Sequence, residues 1–302
     1  MGRIAFVFSG QGDQYPGMGK DLCENYPSAA RVFQTCESLR PGTMEQCFHG
    51  TEAELKETAN TQPCLFAMEH AAAAVLLEHG IRPHAAAGFS LGEVSAATLA
   101  GLFDLETGFR LVCRRGNLMQ AEAEKHDTSM AAVVKLPPET VKSLCAEFPE
   151  IYPVNFNCPG QVAVSGLSSR MSAFSAAVKA AGGRALPLKV KGAFHSPYMA
   201  PAAAAFGEEL ARTHLTAPKI PLYSNVTARP YGEDPVGLLS KQIASPVQWE
   251  SLVRNMIAGG TDTFIEIGPG KTLNNLSLKI DPQVKNYCIS ELSTLLQEVT
   301  PC

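Results

Sequence analysis

The chain has 302 residues, which at about 150 residues per domain allows one large domain or two unequal ones. Apolar residues make up 45% and charged residues 18%, which excludes a disordered chain and provides enough apolar surface for a packed core. With 25 basic and 29 acidic residues, the net charge of −4 gives no electrostatic reason to expect nucleic acid or an anionic membrane as a partner.

The cysteines and the hydropathy pattern indicate the environment of the protein. Nine cysteines are scattered along the chain without CxxC spacing or a zinc-like Cys/His cluster, so we expect no metal and interpret the thiols as small apolar residues in a reducing compartment. The sequence shows neither a signal peptide nor the roughly 18-residue apolar run of a membrane helix. We therefore expect a soluble, cytoplasmic protein.

Short apolar strands alternate with helical patterns along most of the chain, which favours an α/β fold with a largely parallel sheet. The predicted elements of the first part are a strand over 4–8, a helix over 62–79, a strand over 85–89 and helices over 91–100 and 105–124. The last third continues this pattern with a strand over 221–224, a helix over 247–258 and a strand over 263–267.

Residues 127–190 have a different pattern. The predicted elements are a strand over 130–136, a helix over 138–148, strands over 152–157 and 161–165, a helix over 168–181 and a strand over 185–190. This β-α-β-β-α-β order is typical of a ferredoxin-like unit. We therefore predict a small ferredoxin-like subdomain, 127–190, inserted into a large α/β catalytic domain formed by 1–126 and 191–302.

A candidate nucleophile lies between the second strand and its helix. The segment Gly88-Phe89-Ser90-Leu91-Gly92 matches the G-x-S-x-G nucleophile elbow, in which glycines leave room for a sharp strand-to-helix turn. The turn exposes the serine hydroxyl, and the helix N-terminus supplies N–H groups for a developing oxyanion. The apolar strand before Ser90 and the helical pattern after it favour an elbow over a purely structural turn.

A serine nucleophile needs a base, and His195 is the strongest candidate among the seven histidines. It follows the strand at 185–190, where an α/β enzyme would carry its base, although a buried structural histidine remains the alternative. No acid stands out as a third member, because Glu93, Asp262 and Glu266 are interpreted as charges at helix or strand ends. A backbone carbonyl could orient the imidazole instead.

Two further features could contribute to the same site. Arg114 and Arg115 lie on the helix over 105–124, and a solvated pair is the ordinary interpretation, which we prefer for Arg114. One inward-facing arginine would suit a carboxylate substrate, which guanidinium binds through two hydrogen bonds. The loop at 10–12, Gly-Gln-Gly, either points a backbone N–H at the site or is a polar turn.

Eight collinear motifs cover nearly the whole chain. They are FSGQGDQ at 8–14, TQP at 61–63, GFSLGE at 88–93, RGNLMQ at 115–120, VNFN at 154–157 with PGQ at 159–161, AFHS at 193–196, Gln242 with PVQW at 246–249, and EIGPG at 266–270. Together they resemble the malonyl-CoA:acyl carrier protein transacylase family, the acyltransferases of fatty acid and polyketide synthesis. The resemblance implies a hydrolase-like α/β domain interrupted by a ferredoxin-like subdomain.

The resemblance also assigns the chemistry to particular residues. It implies that Ser90 is the acylated nucleophile, that His195 is its base, and that Arg115 holds the free carboxylate of a malonyl group. The backbone N–H groups of Gln11 and Leu91 would form the oxyanion hole.

Three more residues receive roles from the resemblance. Gln242 would orient His195 through its main-chain carbonyl, and Asn157 would line the cleft between the subdomains. Phe194 would border the acyl pocket, where in the polyketide branch of the family Phe accompanies malonyl and Ser accompanies methylmalonyl. The chain departs from the family at Ser9, where Pro is usual, and at Phe89, where His is usual. The second departure bears on rate and on acyl selectivity.

The implied function is transfer of malonyl from malonyl-CoA to the phosphopantetheine thiol of an acyl carrier protein, without a metal or redox cofactor, by a chain we expect to be monomeric. Three alternatives stay open at the level of sequence. One is a hydrolase that clears acyl groups from carrier proteins, and another is a transferase for a different dicarboxylic extender unit. The third is a catalytically idle docking module, which the intact candidate site disfavours. The sequence does not separate fatty acid from polyketide synthesis.

Overall fold

Two separate four-stranded sheets organise the chain, of which the computed structural model describes residues 2–299. The strands are β1 Arg3–Phe8, β2 Ala85–Gly88, β3 Thr128–Val134, β4 Ile151–Cys158, β5 Gln161–Leu167, β6 Arg184–Lys191, β7 Thr261–Ile267 and β8 Lys285–Cys288. The predicted α/β class is confirmed, with one parallel and one antiparallel sheet.

The parallel sheet has the strand order β2-β1-β7-β8. Every residue of β1 after Arg3 is buried, as expected for a central parallel strand covered on both faces. Phe8, the last residue of β1, pairs with Gly88 at the end of β2 and with Ile267 at the end of β7. The loops that follow these three strands therefore meet at one edge of the sheet.

Within residues 2–299, fourteen helices flank the two sheets. They are α1 Lys20–Asn25, α2 Pro27–Leu39, α3 Thr43–His49, α4 Glu52–Lys56, α5 Thr58–Glu78, α6 Leu91–Leu99, α7 Leu105–Ala123, α8 Pro138–Glu147, α9 Ser168–Ala180, α10 Ala200–Ala211, α11 Pro235–Gln242, α12 Trp249–Ala258, α13 Thr272–Ile280 and α14 Leu292–Val299, with short 3-10 turns at Pro197–Met199 and Ile289–Glu291.

Helices α5 and α7 carry polar residues into the interior. Sixteen of the 21 residues of α5 are buried, so this helix runs through the core and its polar side chains need partners there. Helix α7 begins after Asp104, whose carboxylate accepts a hydrogen bond from the backbone N–H of Thr107 at 2.8 Å. This N-cap fixes the start of the helix that carries Arg115.

The antiparallel sheet has the strand order β4-β5-β3-β6 and receives α8 and α9 on its surface. Its elements follow one another as strand, helix, strand, strand, helix and strand, the order predicted for 127–190. The strand bounds lie within two residues of the prediction, and β6 ends in the segment that leads to His195.

Two predicted elements differ from the structure. The strand expected over 221–224 is wrong, because only isolated bridges form there, between Leu222 and Ala86 and between Tyr223 and Pro230. Pro221 has no N–H to donate, which limits pairing at this edge. Helix α5 starts at Thr58 rather than at 62 and passes through Pro63, because Thr61 already donates its N–H to the carbonyl of Glu57.

Within residues 2–299, no helix combines the length and apolar character needed to cross a membrane. In the same part of the chain, no cluster of His, Cys, Asp and Glu is arranged to hold a metal ion. The eight described cysteines are free thiols, and six of them are buried. Cys302 lies outside the described residues.

Candidate active site

Ser90 occupies a strained turn between β2 and α6. Its backbone has φ 55° and ψ −106°, a conformation that non-glycine residues rarely adopt. A Cβ at position 88 would lie 1.9 Å from the backbone of Gly92, and one at position 92 would lie 2.3 Å from the carbonyl oxygen of Phe8. The close approach of these backbones explains why glycine flanks the serine on both sides.

The fold brings His195 to Ser90 across 105 residues of sequence. His195 Nε2 lies 2.7 Å from Ser90 Oγ, and Nδ1 lies 2.9 Å from the carbonyl oxygen of Gln242. A carbonyl accepts hydrogen bonds only, so Nδ1 carries the proton and Nε2 is free to accept the serine proton. The sequence-predicted pair and the orienting carbonyl of Gln242 are therefore in hydrogen-bond contact.

Burial sets the charge of this histidine. His195 is 4% exposed, and desolvation, followed by the nearby positive charge of Arg115, lowers its pKa to about 4. The imidazole is therefore neutral at pH 7, which is the form that can act as a general base.

Arg115 is buried beside the nucleophile. It is 1% exposed, and its Nη2 donates to Ser90 Oγ at 3.3 Å and to the side-chain oxygen of Gln242 at 2.7 Å. Nη1 donates to Gln62 at 2.9 Å. Burial lowers the pKa of Arg115 to about 10, against the opposing charge of Glu93, so the group is a cation at neutral pH. Arg114 is exposed, as the sequence analysis preferred.

Glu93 belongs to the site, and its interpretation as an ordinary helix-end charge is wrong. The carboxylate is fully buried and accepts hydrogen bonds from Tyr231 Oη at 2.5 Å, from Gln242 Nε2 at 3.0 Å and from the backbone N–H of Asn225 at 3.2 Å. Desolvation raises its pKa to about 7, opposed by these hydrogen bonds and by Arg115. The feature of the sequence that could have indicated this burial is the position of an acidic residue among the apolar residues of α6.

The side chain of Gln242 joins the two charges. Its oxygen accepts from Arg115, while its Nε2 donates to Glu93 and, at 2.5 Å, to the carbonyl oxygen of Ser90. Asn225 adds a second support, because its side-chain oxygen accepts the N–H of Ser90 at 2.8 Å. Sequence reasoning missed Asn225, since nothing local distinguishes it from a loop asparagine.

Two backbone N–H groups are candidates to stabilise a negative charge beside Ser90. Gln11 follows β1 and Leu91 is the first residue of α6, and both line the cavity next to Ser90. Across the described part of the chain, the structure records no protein acceptor for either N–H. They are therefore available to a ligand oxygen, and the N-terminal end of α6 adds positive potential.

A cavity of about 520 Å³ opens at Ser90 between the two sheets. Its walls are formed by Gln11, Gly12, Gln14, Tyr15, Glu52, Lys56, Gln62, Phe89, Ser90, Leu91, Met119, Met130, Asn155, Pro187, Leu188, Lys189, Val190, Phe194 and His195. The volume suits a small molecule, and the exposed Lys56 and Lys189 add positive charge to the lining.

The cavity wall includes Phe194 but not Asn157, which the sequence analysis expected to line the cleft. Phe194 lines the cavity next to His195, as expected, and Phe89 lies in the wall with its ring 5.4 Å from that of Trp249. Asn157 is buried but does not line the cavity, and Asn155 does. Strand β4 changes register on both sides of Asn155, so simple alternation does not tell which asparagine faces the cleft.

The sequence and the fold are similar to those of known acyltransferases. The family profile described as "Acyl transferase domain" matches residues 5–280. The malonyl CoA-acyl carrier protein transacylase of Bacillus subtilis is 37% identical over 303 residues, covering 98% of this chain and 96% of that protein. The protein of the same name from Escherichia coli K12 is 36% identical over 303 residues, covering 98% of both chains.

Solved structures of proteins with similar names have the same fold as this chain. A malonyl CoA-acyl carrier protein transacylase from Clostridium perfringens has a TM-score of 0.94 and 32% identity, covering 98% of this chain and 95% of the other. A malonyl-transacylase solved in complex with a type II PKS acyl-carrier protein has a TM-score of 0.94 and 32% identity, covering 98% and 99% of the two chains.

Proposed function

This chain belongs to the acyl transferase domain family, and from that premise we propose that it transfers malonyl from malonyl-CoA to the phosphopantetheine thiol of an acyl carrier protein. The proposal rests on the hydrogen bonds of the Ser90 hydroxyl with two buried side chains. His195 Nε2 lies 2.7 Å and Arg115 Nη2 lies 3.3 Å from Ser90 Oγ. A neutral base and a cation at one hydroxyl suit a nucleophile that accepts an acyl group bearing a carboxylate.

The first half-reaction forms an ester on Ser90. The hydroxyl attacks the thioester carbonyl as His195 Nε2 takes its proton, and the imidazolium is stabilised by the carbonyl of Gln242 at Nδ1. The N–H groups of Gln11 and Leu91 bind the oxyanion, each contributing roughly 3–4 kcal/mol in comparable sites. The tetrahedral intermediate collapses, the carbon–sulfur bond breaks, and the CoA sulfur receives the proton from His195.

The second half-reaction reverses these roles. His195 removes the proton of the carrier thiol, whose sulfur attacks the ester carbonyl, and the same two N–H groups stabilise the second oxyanion. The carbon–oxygen bond to Ser90 then breaks, and the serine oxygen recovers its proton from His195. Acyl transfer changes no oxidation state, and His195 and the two N–H groups supply the base and the oxyanion donors, so the proposed mechanism uses no metal or redox cofactor.

Arg115 selects the acyl group in this proposal. Its guanidinium is held by the side-chain oxygens of Gln62 and Gln242, both neutral, and within residues 2–299 no carboxylate forms a direct ion pair with it. A carboxylate of the acyl group would provide that charge partner, with a bidentate geometry that lysine does not reproduce. Phe194 borders the α-carbon side of the same pocket.

The finer architectural assignments belong to the same proposal. We assign a hydrolase-like catalytic domain to 1–126 and 191–302 and a ferredoxin-like subdomain to 127–190, with the active-site cavity between them. We further propose a monomeric, cytoplasmic enzyme that serves either fatty acid or polyketide synthesis. The element order of each part and the absence of a spanning helix within residues 2–299 are consistent with these assignments.

The fate of labelled malonyl tests the proposal. Chain incubated with labelled malonyl-CoA should gain one malonyl group on Ser90, located by peptide mapping, and should pass it to a carrier protein bearing phosphopantetheine. Ser90→Ala should abolish both events. Label released as free malonate faster than it reaches the carrier would identify the hydrolase alternative. A malonyl group mapped to another residue would overturn the mechanism.

A further inference from the structure

Glu69 is a buried carboxyl group that the proposed chemistry does not use, and desolvation raises its pKa to about 8. It lies in the middle of α5, is 0% exposed, and accepts hydrogen bonds from Ser9 Oγ at 2.8 Å and from Ser95 Oγ at 2.6 Å. Ser9 and Ser95 are themselves buried, at 1% and 0% exposure. A buried carboxyl group is costly unless hydrogen-bonded, so these two contacts account for its presence in the core.

The two serines belong to the segments that carry the candidate oxyanion donors. Ser9 directly follows β1 and stands two residues before Gln11. Ser95 lies in α6, four residues after Leu91, which is one helical turn. Glu69, on α5, is therefore hydrogen-bonded to both segments. The two serines that it contacts lie two and four residues along the chain from Gln11 and Leu91, respectively.

These two segments pack against each other mainly through backbone atoms, with the ring of Phe89 beside Gly10 and the N–H of Phe89 donating to the carbonyl oxygen of Phe8 at 2.9 Å. A Cβ at position 92 would lie 2.5 Å from the carbonyl oxygen of Ser9, and one at position 10 would lie 2.9 Å from the carbonyl oxygen of Phe89. Glycine permits this approach but provides no side chain to interlock the segments. Side-chain contacts on either side of this approach therefore contribute to the relative position of the two N–H groups, and the carboxyl group of Glu69 supplies one that joins both segments.

We infer that Glu69 is a positioning residue that holds the two halves of the oxyanion hole in register by bridging Ser9 and Ser95. This inference rests on the proposed function, since it takes Gln11 and Leu91 as the oxyanion donors. The nitrogen of such a donor must lie about 2.7–3.1 Å from the position that the oxyanion reaches. This is the length of a hydrogen bond, so small displacements of the donor weaken the contact. Displacement by about 1 Å is expected to cost up to about 100-fold in rate.

Two substitutions of Glu69 distinguish the effect of its hydrogen bonds to the two serines from the effect of its side-chain volume. Glu69→Met keeps an unbranched side chain and removes both hydrogen bonds, so we expect kcat for malonyl transfer to fall about 10- to 100-fold with KM for malonyl-CoA within about twofold. Glu69→Gln can accept from one serine and donate to the other, and it should keep kcat within about threefold of the wild type. Glu122→Met, a buried glutamate on α7 outside the site, is the matched control and should leave kcat unchanged.

The serine partners provide a second, independent test. Ser9→Ala and Ser95→Ala should each lower kcat, and each should have no further effect in the Glu69→Met background, because the bridge is already broken. Ser28→Ala removes a buried hydroxyl without a recorded partner in residues 2–299 and serves as the control. If Glu69→Met does not fold, the two serine variants and their double variant still decide the question.

Three outcomes would overturn the inference: unchanged kcat in Glu69→Met, a change confined to KM, or an equal loss in Glu69→Gln and Glu69→Met. Acylation of Ser90 by p-nitrophenyl acetate, measured in parallel, uses the same oxyanion donors without a malonyl group. Wild-type chain that reacts with this ester but does not transfer malonyl would contradict the proposed function. The ester reaction would still show whether Glu69 positions the donors.

Discussion

The guanidinium of Arg115 donates a hydrogen bond to the hydroxyl of Ser90, with Nη2 3.3 Å from Oγ. The arginine is buried and lies on α7, while the serine lies on the turn before α6. This contact places a cation within one hydrogen bond of the atom that would carry the acyl group. We therefore expect the positive charge of Arg115 to favour acyl groups that carry a negative charge.

Arg115→Ala should reduce kcat/KM for malonyl-CoA by about 100-fold or more and should affect acetyl-CoA much less. A malonyl carboxylate left unpaired in the cavity costs several kcal/mol, whereas an uncharged acyl group escapes this cost. Arg115→Lys should recover only part of the malonyl activity, because lysine lacks the planar fork. Arg114→Ala, one residue earlier and exposed, is the control. Equal losses for both substrates would assign Arg115 a structural role.

The pH dependence of acylation should follow the neutral form of His195. Burial and the charge of Arg115 lower its pKa to about 4, so the imidazole remains a base as pH falls through the range in which free histidine becomes protonated. We expect kcat/KM to stay level from pH 7 to about 5 and to fall by half near pH 4, where protonation removes the acceptor at Nε2.

Two substitutions accompany this profile. His195→Ala should lose about 10²- to 10⁴-fold in rate, as expected for removal of a general base, while exposed His214→Ala should change nothing. A profile of the wild type that loses half its rate near pH 6.5 would show that the catalytic imidazole is not desolvated as the structure indicates.

Phe194 should set selectivity at the α-carbon of the acyl group. Phe194 lines the cavity together with His195, and we expect its ring to leave little room for a methyl group next to a carboxylate bound by Arg115. One methyl group is worth about 1–3 kcal/mol, so we expect a preference for malonyl-CoA over methylmalonyl-CoA of roughly 10- to 200-fold. Phe194→Ser should reduce this ratio of kcat/KM values. Equal use of both substrates by the wild type, or an unchanged ratio in the variant, would contradict the prediction.

Glu93→Gln should change how the free energy of unfolding depends on pH. Desolvation raises the folded-state pKa of Glu93 to about 7 from its ordinary value of 4.5, so the folded state holds a proton that the unfolded state releases. Its contribution to stability is therefore fully present below pH 4.5 and is lost as pH rises to about 7, by at most about 1.4 kcal/mol per pH unit.

Urea unfolding of the wild type and Glu93→Gln at several pH values between 4.5 and 7 measures this contribution. The other buried acids and histidines are common to both proteins, so the difference between the two curves isolates Glu93. The stability of the wild type should decline relative to the variant as pH rises. Parallel curves would show that Glu93 is ionised in the folded protein throughout this range.

Local sequence predicted the elements whose signals are contained in one segment. The apolar runs of β1 and β2, the helices α6 and α7 and the alternation of elements over 127–190 lie in the structure within a few residues of their predicted bounds. The strand expected over 221–224 was wrong because its pairing depends on β2, more than a hundred residues away. Whether a segment with strand propensity forms a strand depends on its packing against a partner strand, and the local sequence does not show that partner.

The sequence by itself determined the turn at Ser90, because glycines at 88 and 92 are the residues that permit such close backbone approach. It also singled out His195 by its residue type and its place relative to predicted elements, whereas Arg115 was assigned through the resemblance of the motifs to a known family. Only the tertiary structure decided that Glu93 is a buried acid beneath the site, that Asn155 rather than Asn157 faces the cavity, and that Glu69 joins Ser9 to Ser95. The physical reason is that burial and hydrogen-bond partnership belong to pairs of segments far apart in sequence, whereas turn geometry is fixed by neighbouring residues.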